Sequence, residues 1–348
     1  MDSSESLKEQ LKTKVDLKFS EEGRFRILLF SDIQCSRDGD PRIKEAMEKI
    51  VCDKSPDLVL WGGDNPFGAE TEEEFIELIS FFSEPMEKRG IPWALTYGNH
   101  DDAMLRSATV GRAEQIMESE FPYFVSKHTD GIHGVSNYVL PVYASDGSGR
   151  IALNVFSLDT GRRISDMNGE GVLRADIRAS VRLENPVMGI DNGFDIIRFD
   201  QLKWYWDISE IIEKANGRTP AIMLTHYCPH ETAAIRDNPE ATEMTGEFSE
   251  KISPGPLNCG LFATVLERGD VMGIYFGHNH RNSAEGRYCG IRLGYIGSIG
   301  YDAYGFKRDS DSVKNRLRGA RLLTFDEKDI ENYASEYIMA SDYVALRD

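Results

Sequence analysis

Six consecutive residues, Tyr97-Gly98-Asn99-His100-Asp101-Asp102, put an amide oxygen, an imidazole and two carboxylates on one short turn. That donor mixture suits hard or borderline cations, and the imidazole suits proton transfer near neutral pH. The turn follows an apolar run, Ile91-Pro92-Trp93-Ala94-Leu95, that reads as a buried strand, so the polar tip falls where a strand ends. Four further apolar runs end in the same way: on Asp32 with Gln34, on Asp64, on His226, and on His278 with His280. A lone histidine at a strand end is more often a satisfied core or surface residue than a ligand. Here His100, His226, His278 and His280, from a total of seven histidines, fall at such ends together with two aspartates. Chance placement explains that poorly. Two cations about 3.5–4 Å apart need a bridging carboxylate and a mixed oxygen and nitrogen shell, and such a pair can clamp a phosphate and acidify a bound water. A nearby histidine that is not a ligand can then protonate a leaving alkoxide.

The elements that must position these residues alternate. Residues 26–31 form a continuous apolar run, as a strand covered on both faces requires. Asp40-Pro41 reads as a cap followed by proline at the first helical position, and Ile43, Ala46, Met47, Ile50 and Val51 continue one apolar helical face. A second buried strand, Leu58-Val59-Leu60-Trp61, ends in Gly62-Gly63-Asp64-Asn65. Thr71 and Glu74 match a capping box that opens a helix with Phe75, Leu78, Ile79, Phe82 and Met86 on its core face. The strand that delivers the opening turn follows. A polar helix is expected over 103–118, then strands over 138–143 and 151–159. Asp200 reads as the cap of a helix through Trp204, Tyr205, Ile208 and Ile212, stopped at Asn216-Gly217. Strands over 221–225 and 271–276 deliver His226 and the His278–His280 pair, with a helix through Leu261, Phe262, Val265 and Leu266 between them. Three more strands are expected over 291–296, 320–325 and 336–344. Strands that end in acid or amide residues lie where α/β folds carry their chemistry.

Composition bounds the function. The 348 residues carry a net charge of −18, with 28% charged and 41% hydrophobic residues, the balance of an ordinary soluble protein and a poor match to a general nucleic-acid or anionic-membrane surface. No run approaches the length of a membrane span, and residues 1–14 have no signal-peptide core. Five cysteines without CxxC spacing read as free thiols, so the expected compartment is the cytoplasm. Residues 1–24 are taken as a polar leader and 25–348 as one domain, with an irregular excursion at about 160–196. That excursion is glycine-rich and carries Arg162, Arg163, Arg174, Arg178 and Arg182. It is read as crossing the mouth of the site, although for any single arginine a solvated surface position is an equal alternative.

The series Asp32-x-Gln34, Gly63-Asp64, Gly98-Asn99-His100-Asp101, His226 and Gly277-His278-x-His280 resembles the signature of the calcineurin-like metallophosphoesterase superfamily, in order and spacing, over residues 26–325. Gly63-Asp64-Asn65-x-Phe67, Gln201-x-x-Trp204, Arg268-Gly269-Asp270-Val271 and Gly300-Tyr301-x-Ala303-Tyr304-Gly305 are further similar to the short purple-acid-phosphatase-like branch of plants and fungi. The resemblance implies a four-layer α/β/β/α sandwich of two mixed sheets flanked by helices. It also implies two metal ions drawn from Mn, Fe and Zn. Asp64 would bridge them, Asp32 and His280 would hold the first with Gln34 as a weak neutral ligand, and Asn99, His226 and His278 would hold the second. His100 would be the proton donor, oriented by Asp101. The implied reaction is attack of a metal-bound hydroxide on a phosphate ester, with monoesters of a small molecule or a phosphoprotein preferred. A phosphodiesterase and a catalytically impaired metal-binding or scaffold protein are the alternatives. Two departures support the last of these: Gln34 stands where most of the superfamily has histidine, and Phe67 stands where purple acid phosphatases have a metal-binding tyrosine. Tyr227, His230 and Arg162 are candidate substrate contacts, with Asp159 and Arg163 close by in sequence. Cys35 reads as a buried small residue, and His128 and His133 as surface loop.

Overall fold

The computed structural model describes residues 11–162, 195–255, 257–307 and 309–347. Arg163, Arg174, Arg178 and Arg182, with most of the expected excursion, lie outside the described residues. The first part of the chain runs β1 (Leu17–Lys18), β2 (Arg24–Phe30), α1 (Pro41–Lys54), β3 (Leu58–Gly62), α2 (Glu72–Glu87), β4 (Trp93–Thr96) and α3 (Val110–Glu120). It continues through β5 (Tyr138–Tyr143), β6 (Ile151–Ser157), α4 (Phe199–Asn216), β7 (Ala221–Leu224), α5 (Thr232–Asp237), α6 (Leu261–Arg268) and β8 (Val271–Phe276). The last elements are β9 (Glu285–Tyr288), β10 (Ile291–Tyr295), α7 (Asp311–Lys314), β11 (Gly319–Asp326) and β12 (Ala334–Met339).

These strands form two mixed sheets. One has the order β12-β11-β2-β3-β4, the other β1-β5-β6-β7-β8-β10-β9. Within the first, β2, β3 and β4 are parallel and β11 is antiparallel to both its neighbours. Within the second, β6, β7, β8 and β10 are parallel. The two-residue period of a strand sorts the side chains between layers. Ile27 and Leu29 of β2 with Leu58 and Leu60 of β3 point at the other sheet and pack with Leu140, Val155, Ile222, Leu224 and Tyr275. Leu28, Phe30, Val59 and Trp61 point the other way, onto the apolar faces of α1, α2 and α3. On the far side of the larger sheet, Phe156, Met223, Ile274 and Phe276 meet Leu202, Tyr205 and Ile208 of α4 and Phe262 and Val265 of α6. Three cores therefore separate four layers, and the α/β/β/α expectation holds. No helix of the described residues is long and apolar enough to cross a membrane.

The helix starts follow local chemistry. The Asp40 carboxylate accepts from the Arg42 N–H at 3.0 Å, with Pro41 at the first helical position. Thr71 Oγ1 accepts from the Glu74 N–H at 3.2 Å, while the Glu74 carboxylate takes the Glu70 N–H rather than that of Thr71, one residue earlier than a capping box prescribes. Several expectations need correction. Part of the polar leader belongs to the fold: β1 pairs with β5, and Leu17 and Phe19 are buried between the sheets. Their alternation with polar residues is too short to stand out. The helix expected over 103–118 is instead a turn of 3₁₀ helix, Asp101–Ala103, followed by α3, whose cap is Thr109. The cap of α4 is Arg198, not Asp200. The final strand stops at Met339, and β9 was not foreseen.

Behind β4, the Tyr97 and Ser126 hydroxyls donate to the buried Glu114 carboxyl of α3. Burial outweighs both donors and pushes that carboxyl up from 4.5 to about 7. A carboxyl raised in the folded state contributes stability below its unfolded value, and the contribution is lost as pH rises through the folded value. Urea unfolding in chelator across pH 4.5 to about 7 is thus expected to show wild-type stability declining and Glu114→Gln declining less. Equal slopes would show that Glu114 does not titrate in that window.

Candidate functional site

All five polar strand ends meet at one edge, where β2, β3 and β4 of one sheet and β7 and β8 of the other finish. Asp32, Asp64 and His280 bring one donor atom each to within 4.8 Å of one another, and Asp64, His226 and His278 do the same. Asp64 belongs to both groups. Asn99 joins the second, its Oδ1 3.3 Å from His226 Nε2. The opening turn and the four other strand ends are therefore one site.

The backbone is bent to achieve this. Asp32 (φ 51°), Gln34 (φ 39°), Asp64 (φ 53°) and His278 (φ 69°) all adopt the left-handed conformation. For an L residue that costs on the order of 1–3 kcal/mol, and such residues cluster where a functional side chain is required in place of glycine. Glycine is kept where space is the limit. A Cβ on Gly98 would lie 2.4 Å from Asp64 Oδ1 and 2.7 Å from His226 Cε1.

Hydrogen bonds fix which imidazole nitrogen faces the centre. His226 Nδ1 donates to the Gly62 carbonyl at 2.8 Å, which leaves Nε2 toward Asp64 Oδ1 at 3.5 Å and Asn99 Oδ1. His280 Nδ1 faces the Tyr304 carbonyl at 3.3 Å, and its Nε2 lies 3.1 Å from Asp32 Oδ1. Nε2 of His226 thus meets two oxygens that can only accept, so a proton or a cation must sit between them. Burial, then the His226 imidazole, holds His278 well below the ordinary histidine range, in the neutral form that ligates metals. Burial would raise Asp32, but the His280 and His226 imidazoles and the Ser31 hydroxyl together outweigh it and hold the carboxyl down at about 2. Carboxylates, imidazoles and an amide oxygen, with no thiolate, fit two divalent cations of the borderline kind.

Other candidates fall into place differently. His100 is exposed at the rim, tethered by its N–H to Asp64 Oδ1 at 2.9 Å. Asp101 does not orient it. The buried Asp101 carboxylate accepts instead from the N–H groups of Gly98 (2.6 Å), Asp64 (3.1 Å) and Asn65 (2.7 Å) and from Asn65 Nδ2 (3.0 Å), because the 3₁₀ turn points it inward. It ties the β3 and β4 loops together. Gln34 reaches the centre with its amide nitrogen, which donates to Asp64 Oδ2, so in this arrangement it serves Asp64 as a donor and not a cation as an oxygen ligand. Tyr227 packs edge-on against the His278 ring at 4.9 Å between centroids. Tyr227 and His230 line a small cleft with Thr160, Cys228 and Phe262, and burial lowers the His230 imidazole. Arg162 is ion-paired with Asp102, the last residue of the turn. His128 and His133 belong to neither group; His133 bonds Asp195 at 3.0 Å. Sequence reasoning missed the partners supplied by Ser31, which donates to Asp32 at 2.8 Å, and by the Gly62 and Tyr304 carbonyls. Only Tyr304 carried a signal, in its glycine-flanked stretch.

Two mixed sheets that deliver such groups at one edge define the metallophosphoesterase fold. The profile of the calcineurin-like phosphoesterase family matches residues 25–282, and the chain belongs to that family. It is 27% identical over 322 residues to a protein of Arabidopsis thaliana named probable inactive purple acid phosphatase 14, covering 83% of this chain and 74% of that protein. It is 23% identical over 296 residues to phosphatase DCR2 of Saccharomyces cerevisiae, covering 78% of this chain and 46% of that protein. Among solved structures, a dimetal phosphatase from Danio rerio superposes with a TM-score of 0.53 at 10% identity, over 91% of this chain and 96% of that one. GAP50, the anchor in the inner membrane complex of Plasmodium, superposes with a TM-score of 0.54 at 10% identity, over 93% and 87%. Both show the shared fold.

Asp101→Ala strands four buried donors, and each unsatisfied donor costs about 1–3 kcal/mol. The expected result is a loss of about 3 kcal/mol or more in urea unfolding. A variant as stable as wild type would mean that the clamp is idle.

Proposed function

We propose that this protein is a dimetal-dependent phosphoester hydrolase acting on phosphate monoesters, of a small molecule or a phosphoprotein. The observation that supports this most is the Asp64 carboxylate, shared by two groups of three donors, with an exposed imidazole at its rim. Asp32, Asp64 and His280 would hold one cation, and Asp64, Asn99, His226 and His278 the other, drawn from Mn, Fe and Zn. When bound, such a pair supplies charge neutralisation for phosphate oxygens and an acidified water.

The chain's own residues do the rest. Gly62 and Tyr304 hold the His226 and His280 rings in orientation through their carbonyls. The Asp101 clamp fixes the Asp64 backbone, and Asp64 in turn tethers His100. His100 is in neither donor group, so its imidazole stays available to pass a proton to the leaving oxygen. Tyr227 and His230, on the cleft beside His278, would meet the ester's organic portion. The net charge of −18 leaves nucleic acid an unfavoured partner.

One observation favours a second reading, a metal-binding protein with impaired turnover: Gln34 offers an N–H to Asp64 where a further ligand would sit. The Arabidopsis relative's name, with its word inactive, points the same way.

Assays of aryl phosphate mono- and diesters with added Mn, Fe or Zn separate these readings. Turnover of monoesters is expected, with His100→Ala lowering kcat by roughly 10²–10⁴-fold while metal content is kept. No turnover with any cation would overturn the catalytic reading, and preference for diesters would overturn the substrate class. Gln34→His is expected to tighten the first cation by about tenfold or more in metal titrations. Unchanged affinity would show that Gln34 is not limiting.

A further inference from the structure

Arg318 immediately precedes β11 and is 2% exposed. It forms no ion pair among the described residues, and its guanidinium is spent on neutral oxygens. Nε donates to Asn315 Oδ1 at 3.1 Å, Nη1 to Ser298 Oγ at 2.7 Å, and Nη2 to the carbonyls of Ala303 and Tyr304 at 2.9 and 2.8 Å. A planar fork with fixed donor directions sets geometry as well as binding it. The segment so held, residues 298–304, touches one donor group in particular. The Tyr304 carbonyl that accepts from Arg318 also faces His280 Nδ1, and the Tyr304 ring stacks on the His280 ring at 4.0 Å between centroids. The Ser298 hydroxyl that accepts from Arg318 donates to the backbone carbonyl of Asp32 at 3.2 Å, and the Gly300 N–H donates to the same carbonyl at 3.1 Å. The second group is met only at the backbone of His278, whose carbonyl accepts from the Tyr304 hydroxyl at 3.4 Å and whose N–H donates to the Asp32 carboxylate at 3.0 Å; none of the contacts named is to His226 or Asn99.

We infer that Arg318 is a positioning residue for the first cation: through Ser298 and Tyr304 it orients Asp32 and His280, so the Asp32–Asp64–His280 group depends on it more than the Asp64–His226–His278 group does. The inference rests on the dimetal reading. Partners that orient a metal's ligands typically change affinity by roughly 10–100-fold when removed. Arg321 supplies the contrast. It is equally buried and is also held by four contacts, to Tyr295, Ser283, Glu285 and Ser335, none of which is in either group.

The test is titration of the purified, chelator-treated chain with Mn²⁺ alone, followed by calorimetry and by electron paramagnetic resonance. His226→Ala identifies which binding event belongs to the second group. Wild type is expected to take up two ions and show a spin-coupled pair. Arg318→Met is expected to bind the first ion roughly 10–100-fold more weakly, keep the second affinity, and show an isolated-ion spectrum. Arg321→Met is expected to lose stability and keep both affinities. Arg318→Met that keeps both affinities, or loses both alike, overturns the inference. Where Arg318→Met does not fold, Ser298→Ala removes one link alone. A several-fold weakening confined to the first ion is expected, and unchanged binding with an intact coupled spectrum overturns the inference. A wild-type chain that takes up no Mn²⁺ overturns the dimetal reading itself.

Discussion

The two sheets must hold one register against each other, or the donors never meet. Asp32, Asp64 and Asn99 come from the smaller sheet and His226, His278 and His280 from the larger. Hydrogen bonds cross the gap directly, among them His226 Nδ1 to the Gly62 carbonyl at 2.8 Å and the His278 N–H to the Asp32 carboxylate at 3.0 Å. Beneath them lies the inter-sheet core of Ile27, Leu29, Leu58, Leu60, Ile222 and Leu224. Protein interiors are packed as densely as organic crystals, so such a core holds position to fractions of an ångström. The precision of the centre is a property of that core more than of the loops on it.

Electrostatics make the same point from another side. Asp32 and Asp64 are each 1% exposed, and among the described residues their ion pairs are to histidines alone. Burying two carboxylates without a permanent cation is costly unless a positive charge joins them. In a chain of net charge −18, bound cations would relieve that cost locally. Ligands that bind only the folded state stabilise it, so metal loading and folding are thermodynamically linked.

Much of this was legible in the order of residues. Strands covered on both faces read as unbroken apolar runs, and each run stopped abruptly on its functional residue, as Leu58-Val59-Leu60-Trp61 does before Asp64. What stayed hidden depends on direction or distance. Asp101 adjoins His100 in sequence, yet the 3₁₀ turn sends its carboxylate inward to four N–H donors. Gln34 could present either end of its amide, and only the fold shows the nitrogen against Asp64. Short elements such as β1 and β9 lack the length for a period to show. Arg318 reaches the centre only through Ser298 and Tyr304, and no spacing rule links it to Asp32.

The strand order also sets a schedule. β2 lies between β3, which follows it closely in the chain, and β11, which is made only near the end. Synthesis proceeds from the N-terminus, and domains assemble as their parts emerge. The nascent chain therefore presents one flank of β2 as an open apolar edge while most of the protein is still to be made, a surface that invites mispairing. Asp32, Asp64 and Asn99 can gather early, but the imidazoles of the larger sheet arrive late. The complete donor set is accordingly assembled only late in biogenesis, after β7 and β8 have been made.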